Sequence, residues 1–271
     1  MERSYQIALA SNRKVRIWEN RSMTWHELVE RMSRPVRTGE TAAEYRQMPR
    51  ARQADVKDVG GFVGGMLKDG LRKKSHVLLR SLLTLDMDYG YPGVVKDVLE
   101  KISCTCFLYS THKSSPEKPR LRLVIPLLRD VSAAEYGAIS RKVAEKLGMA
   151  LFDPTTFEPE RLMYWGSVSK DGEYVAEGQE RELLDPDHVL SEYKDWTDLS
   201  SWPSADGKAV AATVSKAEDP YEKRGLVGAF CRAWPMDDVI RTFLSDRYEP
   251  SVIPGRYDYK PADSSAGTGG V

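Results

Sequence analysis

The sequence predicts an α/β protein of the α+β type, with helices packed on a mixed sheet and a small helical unit near the C-terminus. Three observations predict it: apolar runs of strand length, helical stretches opened by capping signals, and the alternation of the two. With 271 residues and 41% hydrophobic content, the chain can bury a substantial core. Disorder throughout the chain is therefore excluded.

Three apolar segments are predicted to be strands. Val77–Leu85 is a mostly apolar run that leads into Asp86-Met87-Asp88. Cys104–Thr111 and Arg120–Leu127 follow, joined by a polar loop of seven residues, and this spacing indicates a long-looped hairpin. On the last strand the leucines occupy one face and the arginines the other, because successive strand residues alternate.

Helices are predicted where a capping signal precedes an apolar stripe. Thr24 and Ser132 each stand three residues before a glutamate, the spacing of a capping box. The helix after Ser132 is expected to end at Gly148, and another helix is expected from Val94 to Ile102.

Composition divides the chain. We predict a catalytic domain at 1–194, with a basic part at 1–75 and a metal-binding core at 76–175. A linker at 195–217, a small helical unit at 218–250 and a flexible tail at 251–271 follow. Residues 1–80 carry 17 Lys and Arg against 9 Asp and Glu, whereas residues 81–271 carry 23 against 31. Such asymmetry fits a polyanion footprint at one end, although solvated charged faces also produce it.

Several protein classes are excluded. No apolar run of about eighteen residues and no signal peptide occur, so we expect a cytoplasmic protein without a membrane partner. Cys104, Cys106 and Cys231 form no CxxC pair, so a disulfide framework and a four-cysteine zinc site are disfavoured and buried thiols are expected. No P-loop motif occurs, and four glycines between residues 60 and 65 predict either a turn or a ligand-binding loop.

The candidate chemistry lies at the ends of the predicted strands. Asp86 and Asp88, at i and i+2, project from one face and could hold divalent cations, although spacing alone favours a strand end turning into solvent. His112 ends the second strand, and Arg120 and Arg122 begin the third, so a hairpin brings cations beside the carboxylates. That combination suits a metal-bound triphosphate, while a surface histidine is the plain alternative for His112.

Short segments that contain these residues resemble the motifs of a known protein family. Leu85-Asp86-Met87-Asp88, Ser110-Thr111-His112 and Leu151-Phe152-Asp153 resemble the three motifs of the archaeo-eukaryotic primase superfamily, in their usual order. The strand from Arg120 to Leu127 and the Asp153-Pro154 segment are similar to those of phage and plasmid primase-polymerases, and the match covers roughly 75–175. Residues 219–265 resemble the segment that joins a primase domain to a helicase in prophage proteins of the virulence-associated E type.

The resemblance implies an RRM-like catalytic core and a template-dependent nucleotidyltransferase, a primase, a DNA polymerase or both, of phage or mobile-element replication. It implies that Asp86, Asp88 and Asp153 bind two Mg²⁺ or Mn²⁺ ions and that His112 contacts the triphosphate. The implied partners are single-stranded DNA, ribo- or deoxynucleoside triphosphates, and a helicase domain or protein. The further candidate nucleotide contacts are Arg120, Arg122, Lys113, Arg161 and Lys170.

Template binding is assigned to the basic N-terminal region. The candidates immediately before the catalytic strand are Lys68, Arg72, Lys73 and Lys74. Trp18 and Trp25 could stack on bases, although a place in the core is the more common role of tryptophan.

Other functions stay open. A nucleotide-sugar glycosyltransferase also uses a DxD pair, but it leaves His112 and the arginine pair without a role. A nucleic-acid-binding adaptor on a degenerate primase scaffold is the non-enzymatic alternative. A rolling-circle nuclease is disfavoured, because it needs two histidines flanking one apolar residue and the four histidines here are isolated.

Overall fold

The structure is a computed structural model that describes residues 3–205, 225–251 and 256–260. The chain divides into two compact units, Met1–Ala211 and Ala212–Val271.

The elements alternate along the described residues, as the sequence predicts. The strands are β1 (Ser4–Ala10), β2 (Glu19–Thr24), β3 (Val36–Arg37), β4 (Gly61–Val63), β5 (Gly65–Leu67), β6 (Val77–Met87), β7 (Cys106–Ser110), β8 (Leu121–Val131), β9 (Met163–Tyr164), β10 (Ser167–Val168), β11 (Ala176–Gln179), β12 (Tyr248–Pro250) and β13 (Tyr257–Tyr259). The α-helices are α1 (Trp25–Ser33), α2 (Ala42–Gln47), α3 (Arg50–Val56), α4 (Val94–Lys101), α5 (Ala133–Leu147), α6 (Pro186–Ser191), α7 (Gly225–Ala233) and α8 (Met236–Phe243). Short 3₁₀ turns include Met149–Leu151, Pro154–Phe157 and Leu199–Ser201.

The first unit contains a five-stranded sheet in the order β11-β7-β8-β6-β5 and a four-stranded sheet in the order β2-β1-β4-β9. Both are antiparallel throughout, and β3 pairs with β10 in parallel. Strand β8 lies between β6 and β7, which α4 connects, so this part has the split βαβ arrangement. The predicted α+β class is confirmed.

The large sheet is buried on both faces. Alternate residues of β6, such as Leu83 and Leu85, join a core that α4 and α5 cover. Leu82, one position out of phase, packs with Tyr5 and Phe62 of the four-stranded sheet. Burial on both sides explains why β6 reads as a continuous apolar run rather than an alternating one. Each fully buried leucine contributes about 1.5–3 kcal/mol to the free energy of folding.

Local signals fix the helix boundaries. Thr24 and Ser132 form complete capping boxes with Glu27 and Glu135. Helix α5 ends at Gly148, whose φ of +112° favours glycine. The predicted starts of both helices are therefore confirmed.

The glycine run serves contacts between segments of the chain. A Cβ atom on Gly61 would lie 2.4 Å from the carbonyl oxygen of Met163, and one on Gly65 would lie 2.0 Å from that of Leu79. Strands β4 and β5 can thus approach their neighbours only without side chains at these positions. The glycines are explained by strand packing, and no ligand-binding loop is needed to account for them.

Arg80 is completely buried within β6. Its guanidinium donates to the carbonyl oxygens of Gly64 at 3.0 Å and Pro159 at 2.5 Å, and to the hydroxyl of Thr84 at 2.8 Å. It also lies 3.9 Å from the ring centre of Tyr136. Arg80 therefore ties β6 to the segment after Pro154–Phe157.

The first unit extends past residue 194, where the sequence predicts a linker. Trp196 and Trp202 pack against the core below α5, and a Cβ atom on Gly137 would lie 2.7 Å from the Trp202 ring. These two half-buried tryptophans hold 195–205 to the domain, because apolar contact outweighs the polar composition of the segment. Residues 206–217 of the predicted linker lie outside the described residues.

The second unit contains α7, α8 and a hairpin of β12 and β13. Ring contacts join Trp234 to Phe243, with centroids 5.2 Å apart. Tyr259 pairs with Tyr248, so residues 257–259 form a strand where the sequence predicts a flexible tail. The remainder of the predicted tail, apart from 251, 256 and 260, lies outside the described residues.

Two further expectations concern cysteines and membranes. Cys104 and Cys106 are buried, as predicted, whereas Cys231 is half-buried. Within the part of the chain that the structure describes, no helix has both the length and the apolar character that crossing a bilayer demands.

Candidate active site

A cleft of about 550 Å³ opens in the first unit where β6 and the β7–β8 hairpin end. It is lined by charged side chains from several segments that are distant in sequence. The lining residues are Arg13, Lys14, Lys57, Arg72, Asp86, Asp88, Thr111, His112, Lys113, Arg120, Arg122, Asp153, Glu158, Arg161, Leu162, Tyr164 and Ser167. Eight of the nine residues that the sequence singles out as catalytic, metal-binding or nucleotide-binding are among them.

Strand register brings the first carboxylates to the arginines. Asp86 on β6 lies directly opposite Arg122 on β8, and their side chains form an ion pair at 3.2 Å. The same antiparallel register, continued by two residues, places Asp88 beside Arg120 at 3.4 Å. The two pairs therefore line one face of the sheet end.

Asp153 reaches the same place through backbone contacts. Its N–H donates to the carbonyl oxygen of Asp86 at 3.0 Å, while the Asp86 N–H donates to the Thr156 hydroxyl at 2.7 Å. The Asp153 carboxylate accepts from the N–H of Thr155 at 2.9 Å, and it pairs with Arg161 at 2.7 Å. Arg161 also lies 3.6 Å from Asp86, so one guanidinium bridges two of the three carboxylates.

Burial and neighbouring charges shift the pKa values of side chains in the cleft. Burial raises the pKa of Asp88, with Asp86 and Asp153 adding to the rise and Arg120 opposing it. Burial alone would lower the pKa of Arg122, but Asp86, Tyr109 and Asp88 together outweigh this effect and the pKa is raised. The cluster thus holds several like charges in a confined space.

The donor set suits a hard divalent cation in chemistry. Asp86, Asp88 and Asp153 offer carboxylate oxygens, and Asp86 Oδ1 is buried without a hydrogen bond. A cation would also offset the repulsion from Asp86 and Asp153 that adds to the effect of burial on the pKa of Asp88. Within residues 3–205, 225–251 and 256–260, however, no three His, Cys, Asp or Glu side chains already stand close enough to hold a metal ion together. Arg120, Arg122 and Arg161 contact these carboxylates in this structure, and metal binding stays a prediction.

Positive charge exceeds negative charge around the cleft. Eight Lys and Arg residues line it, against four Asp and Glu residues. Arg13, Lys14 and Lys57 were not singled out from the sequence, since they lie in loops without a motif. Lys57 stacks on the ring of Tyr164 at 5.0 Å, and burial lowers its pKa, with Arg122 adding to the effect. The excess of cations favours a polyanionic ligand.

His112 is buried between two segments that the sequence did not connect. Its Nδ1 lies 3.0 Å from the Ser167 hydroxyl, and its Nε2 lies 2.9 Å from a carboxylate oxygen of Glu40. The ring of Tyr45 packs against the imidazole with centroids 4.2 Å apart. Glu40 has no sequence signal, because it is a single acidic residue in a polar stretch between β3 and α2.

The histidine is neutral and the glutamate is ionised. Burial lowers the pKa of His112 and, together with the charges of Lys57 and Lys113, outweighs the hydrogen bond and charge of Glu40, which raise it. Burial raises the pKa of Glu40. Hydrogen bonds from Thr38, from its own backbone and from His112 lower this pKa by a larger amount in sum, so the net shift is downward. A neutral imidazole that donates from Nε2 to Glu40 accepts from Ser167 at Nδ1. For His112 to contact a phosphate group, its hydrogen bond to Ser167 or its hydrogen bond to Glu40 has to be replaced by one to the phosphate.

This arrangement predicts the pH dependence of His112. Because its folded-state pKa lies below the ordinary value of 6.5, the stability it contributes is present above pH 6.5 and is lost as pH falls through the folded value, by at most about 1.4 kcal/mol per pH unit. In Glu40→Gln the pKa should fall further, since the charge that favours the imidazolium is gone. NMR titration of the four histidine rings measures both values. A His112 that titrates above 6.5, or a Glu40→Gln protein in which the value rises, contradicts the assignment.

Of the remaining candidates for nucleotide and template binding, only Arg72 lines the cleft. Lys170 is exposed on a turn and is absent from the lining, although its N–H donates to the carbonyl oxygen of Glu40. Arg72 reaches the cleft and stacks on Trp18, which is buried as expected for a core tryptophan. Trp25 is half-buried against the core. The other three template candidates are exposed outside the cleft: Lys68, Lys73 and Lys74.

Comparisons with known proteins place the chain in a family. A search of curated proteins finds no match. The solved AEP domain of the cyanophage S-2L primase-polymerase matches with 16% identity and a TM-score of 0.37, over 69% of this chain and 88% of that one. The model of the VapE N-terminal domain matches residues 1–205. That span includes the whole cleft and the tryptophans that follow residue 194. The chain therefore belongs to the VapE N-terminal domain family, which confirms the predicted likeness to virulence-associated E type proteins.

Proposed function

We propose that this chain is a template-dependent nucleotidyltransferase, a primase or DNA polymerase that joins nucleoside triphosphates on single-stranded DNA. One observation supports the proposal most: Asp86, Asp88 and Asp153 line one cleft whose other charged groups are mainly cations. Carboxylates for metal ions beside guanidinium groups for phosphates are the two parts that phosphoryl transfer needs. Membership of the VapE N-terminal domain family is consistent with this role.

The side chains have distinct tasks in this proposal. Two Mg²⁺ or Mn²⁺ ions, held by the three aspartates, would activate the attacking 3′-hydroxyl and neutralise the triphosphate and its pyrophosphate leaving group. Arg122 and Arg161 hold Asp86 between them before substrate arrives. With a triphosphate present, the guanidinium groups that contact carboxylates in this structure can bind phosphate oxygens instead. Arginine forms bidentate hydrogen bonds with phosphate groups. Catalysis is then mainly positioning and charge stabilisation.

The cations around the cleft also suit a nucleic-acid strand. Arg13, Lys14 and Arg72 line its side, and such contacts release counterions from the strand. We expect DNA binding to weaken steeply as salt concentration rises. A helicase domain or protein is the proposed partner, because priming requires unwound template.

The direct test is synthesis on a defined template. The full chain is incubated with single-stranded DNA, with and without a primer, with each class of labelled nucleotide and with Mg²⁺ or Mn²⁺. We expect products whose sequence follows the template and whose formation stops when the divalent cation is chelated. The comparison of nucleotide classes also identifies the preferred substrate and cation. Absence of templated products under every condition would overturn the proposal.

One observation favours a second candidate, a nucleic-acid-binding adaptor without catalysis. All three carboxylates are engaged by arginines, and no metal-ligating group of three is formed within the described residues. An adaptor would bind single-stranded DNA with equal affinity in the presence and absence of divalent cations and would synthesise nothing. Cation-dependent nucleotide incorporation excludes it.

A further inference from the structure

A second cleft, of about 510 Å³, adjoins the first on the other side of the β7–β8 loop. Helices α2 and α3 form its opposite wall. Its lining residues are Ala42, Tyr45, Arg46, Gln53, His112, Lys113, Ser114, Ser115, Glu117, Lys118, Arg120 and Ser169. Three of these, His112, Lys113 and Arg120, also line the first cleft. The two clefts therefore share a wall of basic side chains.

The second cleft carries positive charge that the described part of the protein does not neutralise. Four Lys and Arg residues line it, against Glu117 as the single acidic residue. Among residues 3–205, 225–251 and 256–260, no carboxylate lies within ion-pair distance of Arg46, Lys113 or Lys118, and Glu117 alone interacts electrostatically with Arg46 from this lining. Arg120 pairs with Asp88, which lies in the first cleft. Uncompensated cations that converge on a concave surface favour an anionic ligand.

The β7–β8 loop is held in shape at this cleft. The N–H of Thr111 donates to the carbonyl oxygen of Arg120 at 2.8 Å and closes the hairpin. The N–H of Arg120 donates to the Ser114 hydroxyl at 3.1 Å, which leaves the O–H of Ser114 able to donate to a ligand. The loop thus presents ordered donors and not only flexible lysine side chains.

We propose that the second cleft is a second phosphate-binding site, which holds nucleotide phosphates beside those in the first cleft. Its volume lies in the range of roughly 300–1,000 Å³ that small-ligand sites occupy. A triphosphate bound at the aspartates leaves this cleft open, and Lys113 and Arg120 can contact ligands on both sides. The phosphates belong either to the backbone of a nucleic-acid strand or to a second free nucleotide. The identity of the ligand rests on the proposed function, but the binding test does not depend on catalysis.

The test removes charge from the second cleft alone. Arg46 and Lys118 line it without reaching the first cleft, so we choose the double variant Arg46→Gln/Lys118→Gln in the full chain. The matched control is Arg52→Gln/Lys101→Gln, two exposed cations that line neither cleft. Binding of dye-labelled oligothymidine is followed by fluorescence anisotropy over a series of salt concentrations. Equilibrium dialysis with a non-hydrolysable nucleoside triphosphate analogue gives the number of nucleotides bound.

If a strand occupies the cleft, the double variant should bind oligothymidine roughly tenfold more weakly, with a salt slope smaller by about 1.4 for two lost contacts. If a second nucleotide occupies it, the number of bound triphosphates should fall from two to one. Either result, with the control at the wild-type value, supports the site. The inference is overturned if neither quantity changes, or if the control variant changes as much. Failure of nucleotide incorporation with these binding results intact would instead remove the proposed function alone.

Discussion

Replacement of Asp88 by asparagine should abolish nucleotide incorporation while leaving the protein folded. The change keeps the shape of the side chain but removes a negatively charged oxygen ligand from the cleft. Metal-ion stabilisation of a transition state is worth several kcal/mol, so the rate should fall by about 1,000-fold. The measurement is single-turnover primer extension at saturating nucleotide. A variant with wild-type activity would show that Asp88 has no part in catalysis.

Stability measurements separate this effect from misfolding. The folded-state pKa of Asp88 is raised above the ordinary value of 3.8, so its ionised form at neutral pH is disfavoured by folding. That penalty disappears as pH falls through the folded value, and an asparagine never pays it. The melting temperature of Asp88→Asn at pH 7 should therefore equal or exceed that of the wild type. Glu177→Gln, on the exposed edge strand β11, is the control expected to change neither activity nor stability.

Arg80→Ala should destabilise the first unit by about 3–5 kcal/mol. Three carbonyl oxygens and one hydroxyl lose the guanidinium as a donor, although the Gly64 oxygen keeps the N–H groups of Ser81 and Leu82. A buried acceptor that is left without a partner costs about 1–3 kcal/mol. The lost side chain also leaves a cavity beside Tyr136. For a domain of this size the melting temperature should fall by about 10 °C. Arg80→Lys should be nearly as harmful, because an ammonium group cannot reproduce the planar set of donors.

Differential scanning fluorimetry checks this expectation against a surface arginine. Arg21 is exposed and pairs with Glu19, so Arg21→Ala should lower the melting temperature by less than about 2 °C. An equally small change for Arg80→Ala would show that the buried guanidinium is not stabilising. Since Arg80 joins β6 to the segment between Asp153 and Arg161, its loss should also reduce nucleotide affinity at temperatures where the protein is still folded.

The carboxylates and their arginine partners were predictable because their arrangement follows from strand geometry. Alternation along β6 fixes the common face of Asp86 and Asp88, and the antiparallel pairing of β6 with β8 places Arg122 and Arg120 beside them. For Asp153 the sequence offers only the resemblance to a motif. A backbone hydrogen bond to Asp86, 67 positions away in the sequence, holds Asp153 in place, and no local pattern predicts such a contact.

Local sequence patterns do not predict the roles of Glu40 and Lys57. Each is a charged residue outside any motif, and its role depends on a contact with a residue more than 50 positions away. Glu40 meets His112 because β3 pairs with β10, an isolated two-residue contact that no periodicity signals. Trp202 likewise joins the core from a segment whose composition reads as a linker. Contacts of this kind are decided by packing, which local composition does not encode.

By itself, the sequence determined the α+β class, the capped helices, the hairpin and the family resemblance, because each depends on residues close together along the chain. Only the tertiary structure decided that His112 is buried against Glu40, that residues 195–205 belong to the domain, and that a second basic cleft adjoins the first. The physical reason is that burial and long-range ion pairs arise when distant segments pack, and they set the charge and accessibility of a side chain that its sequence neighbours leave open.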